Sequence, residues 1–148
     1  MNWKVIEKTG KPGALIRVVG VGGCGGNAVD HMVKSGLEGV ETLAINTDSQ
    51  ALENSKADIK HMLGELTNSG QGAGAKPEVG RETALDDYDR LEALLEGSDM
   101  VFIAAGMGKG TGTGASPVVA QVAKSLSLIH ISEPTRQEAI SYAVFCLK

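Results

Sequence analysis

A chain of 148 residues with 14 Lys plus Arg against 18 Asp plus Glu, a net charge of -4 and a pI near 5.3 is sized for at most one domain with a respectable core. No run of Lys or Arg offers itself to nucleic acid or an anionic membrane, and no stretch nears the roughly 18 apolar residues of a membrane span. With no charged-then-apolar leader before the first strand, and with Cys24 and Cys146 too few for a disulfide framework or a zinc site, a cytoplasmic protein is expected.

Met1 to Gly13 is polar and ends in Lys11-Pro12-Gly13, so a flexible N-terminal arm is expected, with Trp3 as a surface anchor. Leu15 to Val19 is an apolar first strand that enters Gly20-Val21-Gly22-Gly23-Cys24-Gly25-Gly26-Asn27. Ala28, Val29, Met32 and Val33 then show helical spacing up to Gly36. Glu41 to Asn46 reads as a second strand closed by Asn46-Thr47-Asp48, with a helical turn at Ser49 to Leu52 and an edge-like strand at Lys60 to Leu63. A second glycine loop, Gly70 to Ala75, precedes a long helix opened by Pro77. Its apolar face is Leu85, Tyr88, Leu91 and Leu95; Asp86, Asp87, Asp89 and Arg90 form a solvated face, and Gly97 ends it. His31 and His61 are read as satisfied or exposed, not as ligands.

Met100 to Ala105 holds six uncharged residues without alternation, the mark of a strand buried on both faces of a parallel sheet. Gly106, Gly108, Gly110, Gly112 and Gly114 follow as a loop, with Ser116 as N-cap and Pro117 as first residue of a helix to Ser125. Strands alternating with helices imply an α/β, Rossmann-like parallel sheet with helices on both faces. Ligands in such sheets lie beyond the carboxyl ends of the strands, and all three glycine clusters follow a strand. Backbone amides meeting the positive end of a helix suit a phosphate.

Gly20-x-Gly22-x-x-Gly25, with Asp48 about 20 residues on, fits a dinucleotide fingerprint, so the NAD-binding domain of an oxidoreductase is the alternative function. The loop at residues 106–114 argues against it, since a dinucleotide fold does not require one. That loop is not a Walker P-loop either: Gly110 follows Lys109, and Ile103 stands where the first Gly should be, so Lys109 is read as solvated.

Gly110-Thr111-Gly112-Thr113-Gly114 after an apolar strand resembles the signature of the tubulin superfamily. Together with GVGGCGGNAVDHMV, LAINTDSQAL and GAGAKPEVGRETA, the chain from about residue 15 to 125 is similar to the FtsZ family of bacterial cell-division GTPases. The resemblance implies a truncated N-terminal part of a GTP-binding domain, residues 14–125, with GTP or GDP and Mg²⁺ as ligands. Gly22, Gly23, Cys24, Gly25, Gly26 and Asn27 match the first nucleotide loop, Asn27 near the guanine. Asn46 and Asp48 match the second. Ala73, Gly74 and Ala75 match the loop that senses the γ-phosphate, and Gly106, Met107, Gly108, Gly110, Thr111 and Gly112 match the signature loop. Cys24 and Lys109 stand where the family usually has Gly, which requires a tolerated φ or loosens the loop; Lys109 could add charge near the phosphates.

No catalytic residue or metal ligand is carried over, because the guanine-contacting groups and the acidic loop that completes hydrolysis lie later in the family. The resemblance further implies, for the full-length protein, head-to-tail filaments, GTP hydrolysis at subunit junctions, division-machinery partners through a C-terminal tail, and a place in the mid-cell ring. For this chain alone it implies weak or no GTP binding. Residues 126–148 change character: Leu126 to Arg136 can be read back into codons that resemble a transposase-type sequencing-library adapter. Read-through of such an adapter is the expectation there; a strand plus a helix is the alternative.

Overall fold

The computed structural model describes residues 13–65, 70–126, 130–137 and 140–147, the last two stretches as backbone. Among these residues six strands form one sheet in the order β3-β2-β1-β4-β6-β5. The first four, β1 (Ile16–Val21), β2 (Glu41–Asn46), β3 (Ile59–Met62) and β4 (Met100–Met107), are parallel. In the tail, β5 (His130–Gln137) and β6 (Ile140–Leu147) run antiparallel, and β6 pairs with β4. The backbone there is two strands, not a strand and a helix. The arm to residue 12, with Trp3, and the side chain of Cys146 lie outside the described residues.

The strands are apolar because both faces are covered. Alternate residues point to opposite faces of a strand. Val19 and Val21 join Leu43, Ile45, Val101 and Ile103 in a core closed by helices α3 (Pro77–Asp86), α4 (Tyr88–Leu95) and α5 (Gly110–Ser125). Val18 and Ala44 face the other way, against Val29 of α1 (Gly22–Lys34) and Leu52 of α2 (Ser49–Asn54). Register sets Val21 beside Ile45 and Ala105, so these strands end at one edge.

Four expectations need correction. First, two of the three glycine stretches run into helix: α1 starts at Gly22, not near Ala28, and α5 starts at Gly110. Second, Ser116 and Pro117 therefore sit inside α5, where Pro117 forgoes an interior N–H bond, and do not open it. Third, the long helix breaks at Asp87, between α3 and α4. Asp87 is not on a solvated face: it is buried, its carboxylate accepts the Gly64 N–H at 2.8 Å, and Leu85 is left 43% exposed. Fourth, His61 is neither exposed nor satisfied. Its Nε2 is buried without a hydrogen bond, and Asp87 Oδ2, at 3.6 Å, is too far to supply one.

Close packing explains why glycines can start these helices despite their poor propensity. A Cβ on Gly20 would strike the Gly25 carbonyl, and one on Gly25 would strike the Ala104 carbonyl, so both let α1 lie against β1 and β4. A Cβ on Gly114 would strike the Pro77 carbonyl, and one on Gly80 would come within 2.8 Å of the Gly110 carbonyl, which presses α3 onto α5.

Candidate functional site

Two helices point their N-termini at the carboxyl edge of the sheet. The N-cap positions, Val21 for α1 and Lys109 for α5, supply no side-chain cap, and neither helix has an acid in its first turn. Their leading N–H groups and positive dipole ends are therefore unanswered by side chains. The starts nearly touch. Gly22, at φ +75°, is so close that a Cβ there would lie 2.8 Å from the Gly112 nitrogen. By contrast α2, which follows β2, is capped by Asp48, whose carboxylate accepts the Gln50 and Ala51 N–H groups at 3.0 and 3.4 Å.

Between the two helix starts lies a cavity of about 650 Å³. The structure brings to its wall Gly23, Cys24 and Asn27 from α1, Asn46 and Asp48 at the end of β2 and just beyond it, Ala73, Gly74 and Ala75 before α3, and Gly106, Met107, Gly108, Gly110, Thr111 and Gly112 around the start of α5. Gly22 and Gly26 line a smaller adjoining hollow of about 230 Å³, shared with Gly23, Asn27 and Asn46. Gly25 lines neither, because it is spent on packing against β4. Three glycine segments distant in sequence thus share one hollow at the strand ends.

Hydrogen bonds hold the wall in shape. Asn46 Oδ1 accepts the Thr47 N–H at 2.8 Å, the Gly72 N–H donates to the Thr47 carbonyl at 3.1 Å, and the Gly108 N–H donates to Thr113 Oγ1 at 2.9 Å. Gly108, at φ +99°, makes the turn from β4 into α5. Neither departure from glycine strains the backbone: Cys24 lies in the first turn of α1, and Lys109 has φ -123° and ψ 179°. The Cys24 thiol is free, and a Cβ on the facing Gly106 would come within 2.8 Å of its Sγ.

Val21, Thr47, Ala51, Gln71, Gly72 and Lys109 also line the cavity and were not among the residues matched to the family's nucleotide loops. Thr47 was legible as the residue between Asn46 and Asp48. Lys109, read as solvated, is exposed and is the one cationic side chain among the described lining residues. Asp48 is the one carboxylate there, and among the described residues no group of three or more His, Cys, Asp or Glu is placed to hold a metal.

The model of the "Tubulin/FtsZ family, GTPase domain" matches residues 15–135. The chain belongs to the Tubulin/FtsZ family. It is 54% identical over 123 residues to the cell division protein FtsZ of Pseudomonas aeruginosa, covering 83% of this chain and 31% of that protein. It is 55% identical to FtsZ of Buchnera aphidicola from Schizaphis graminum over 83% of this chain and 32% of the other. Among solved structures, the empty FtsZ dimer from M. jannaschii aligns with TM-score 0.73 at 46% identity, over 76% of this chain and 33% of that one. CetZ2 from Haloferax volcanii, solved as a GTPγS-bound protofilament, aligns with TM-score 0.64 at 26% identity, over 76% and 36%. The chain spans about a third of the length of the curated family members it matches.

Proposed function

We propose that this chain is the phosphate-holding part of a family GTPase, and that its cavity takes the phosphates of GTP or GDP. One observation carries the reading: two helix N-termini without side-chain caps or first-turn acids open on a single cavity. An anion there meets free amides and two positive dipole ends at once. The volume lies in the usual range for small-molecule sites. In this reading the amides of Gly23, Cys24, Thr111 and Gly112 meet phosphate oxygens, Asn27 lies toward the guanine, and Ala73 to Ala75 face the γ-phosphate.

The residues present fit Mg²⁺ only as a partner of bound phosphate. Among the described residues Asp48 is the one wall carboxylate and already caps α2, so the ion's remaining ligands would be phosphate oxygens and water. Bound there, Mg²⁺ would neutralise phosphate charge. The wall carries no aromatic face for a base among the described residues, which supports weak binding by this chain alone.

For the full-length protein the proposal extends to head-to-tail assembly, supported by the dimer and protofilament forms of its structural relatives, and to GTP hydrolysis between subunits. It extends further to division-machinery partners through a C-terminal tail and to a cytoplasmic, mid-cell location. No helix among the described residues is long and apolar enough to cross a membrane. Residues 126–148 are proposed to be adapter read-through, supported by their codon reading. Underlying nucleotides that differ from the adapter would refute this.

Amide NMR titration of the 148-residue chain tests the binding. GTP should shift the amides of the cavity wall with a dissociation constant on the order of a millimolar. NADH should leave them unmoved. Saturation by NADH with no response to GTP would overturn the reading and favour a dinucleotide domain. Micromolar GTP affinity for residues 1–125 would contradict the expected weakness.

A further inference from the structure

Thr47 ties three walls of the cavity together. It is fully buried. Its N–H donates to Asn46 Oδ1 at 2.8 Å, its carbonyl accepts the Gly72 N–H at 3.1 Å, and its hydroxyl lies 2.6 Å from the hydroxyl of Thr111. One residue thus joins the end of β2, the second glycine segment and the first turn of α5.

The hydroxyl pair can be wired in two directions. Each hydroxyl has one proton to give. If Thr111 donates to Thr47, no proton is left for an anion in the cavity that Thr111 lines. If Thr47 donates, the Thr111 proton is free to turn into the cavity. A bound anion selects the second arrangement, because a hydrogen bond to a charged acceptor is roughly twice as strong as a neutral one. Two hydroxyls in series also polarise each other in a buried setting.

We propose that Thr47 is a positioning residue for the anion site: it donates to Thr111 and so aims the Thr111 hydroxyl proton at bound phosphate. The proposal rests on the phosphate reading above. Thr47 acts through Thr111, and it holds the second glycine segment in place through its carbonyl.

The experiment is the GTP titration of the 148-residue chain by amide NMR, at a temperature where every variant is folded. Thr47→Val keeps the shape and removes the hydroxyl, and should weaken GTP binding by about fivefold to tenfold. Thr47→Ser should restore binding to within about twofold of the original. The double variant Thr47→Val/Thr111→Val should bind no more weakly than Thr111→Val alone, because the two hydroxyls act as one unit. A purely structural Thr47 would lower the unfolding midpoint while leaving the affinity of the folded protein unchanged, and that result would overturn the proposal. Additive losses in the double variant would also overturn it. Should Thr47→Val fail to fold, Thr47→Cys, with a weaker donor in the same place, should show a smaller loss, and unchanged affinity there would refute the relay. A wild-type chain with no saturable response to GTP removes the phosphate reading and the relay with it. A wild-type response matched by Thr47→Val removes the relay alone.

Discussion

Ala75 is the one described residue other than glycine held at positive φ, +61°, and it sits on the cavity wall. That conformation costs an L-residue roughly 1–2 kcal/mol, part of which a glycine would return as extra freedom in the unfolded chain. Ala75→Gly should therefore stabilise the fold by about 0.5 kcal/mol, seen as a higher urea midpoint; a lower midpoint would contradict the strain. Acid stability also resolves to single residues. Burial holds the His61 pKa below its ordinary 6.5, although the nearby Asp87 carboxylate pulls it back up. The unfolded chain then binds that proton more readily, so stability is whole above about pH 6.5 and falls as pH drops toward the folded value. Asp58 acts lower. The Thr42 N–H and hydroxyl hold its pKa below 3.8, so its contribution stands above about pH 4 and is lost as pH falls through the folded value. His61→Gln should flatten the first loss and leave the second, measured by urea unfolding between pH 7.5 and 3.5. An unchanged slope between pH 7 and 5 would show that His61 does not control it.

Elements owe their boundaries to packing as much as to local preference. Glycine-rich strings read as loops because Gly disfavours helix by about 1 kcal/mol. Here α1 and α5 begin within those strings, since only glycine lets α1 lie on β1 and α3 lie on α5. Two substitutions separate the roles. Gly114→Ala drives a methyl into the Pro77 carbonyl and should cost about 3 kcal/mol. Gly26→Ala meets nothing within 4 Å inside α1 and should stabilise by roughly 0.5–1 kcal/mol. Thermal unfolding of both variants checks this, and equal effects would refute the packing account. The strands were easier to read: β2 runs from Glu41 to Asn46 as expected from sequence, with Leu43, Ala44 and Ile45 buried on both faces at its centre. The break at Asp87 was not legible, since the group that holds it, the Gly64 N–H, lies 23 residues away.

At the scale of the molecule, parallel pairing sends β1, β2 and β4 to one edge and delivers three glycine segments to one cavity. Saturating GTP should therefore slow amide exchange together at Gly23–Asn27, Ala73–Ala75 and Thr111–Gly112. Protection confined to one segment would mean that no shared site forms. The α/β alternation, the buried strands and the family were determined by sequence alone, because burial and motif spacing are written in residue type and order. Tertiary structure decided which glycines face the cavity and which, like Gly25 and Gly114, serve packing, and it placed Thr47 against Thr111. Those outcomes depend on contacts between segments tens of residues apart, which no local pattern encodes.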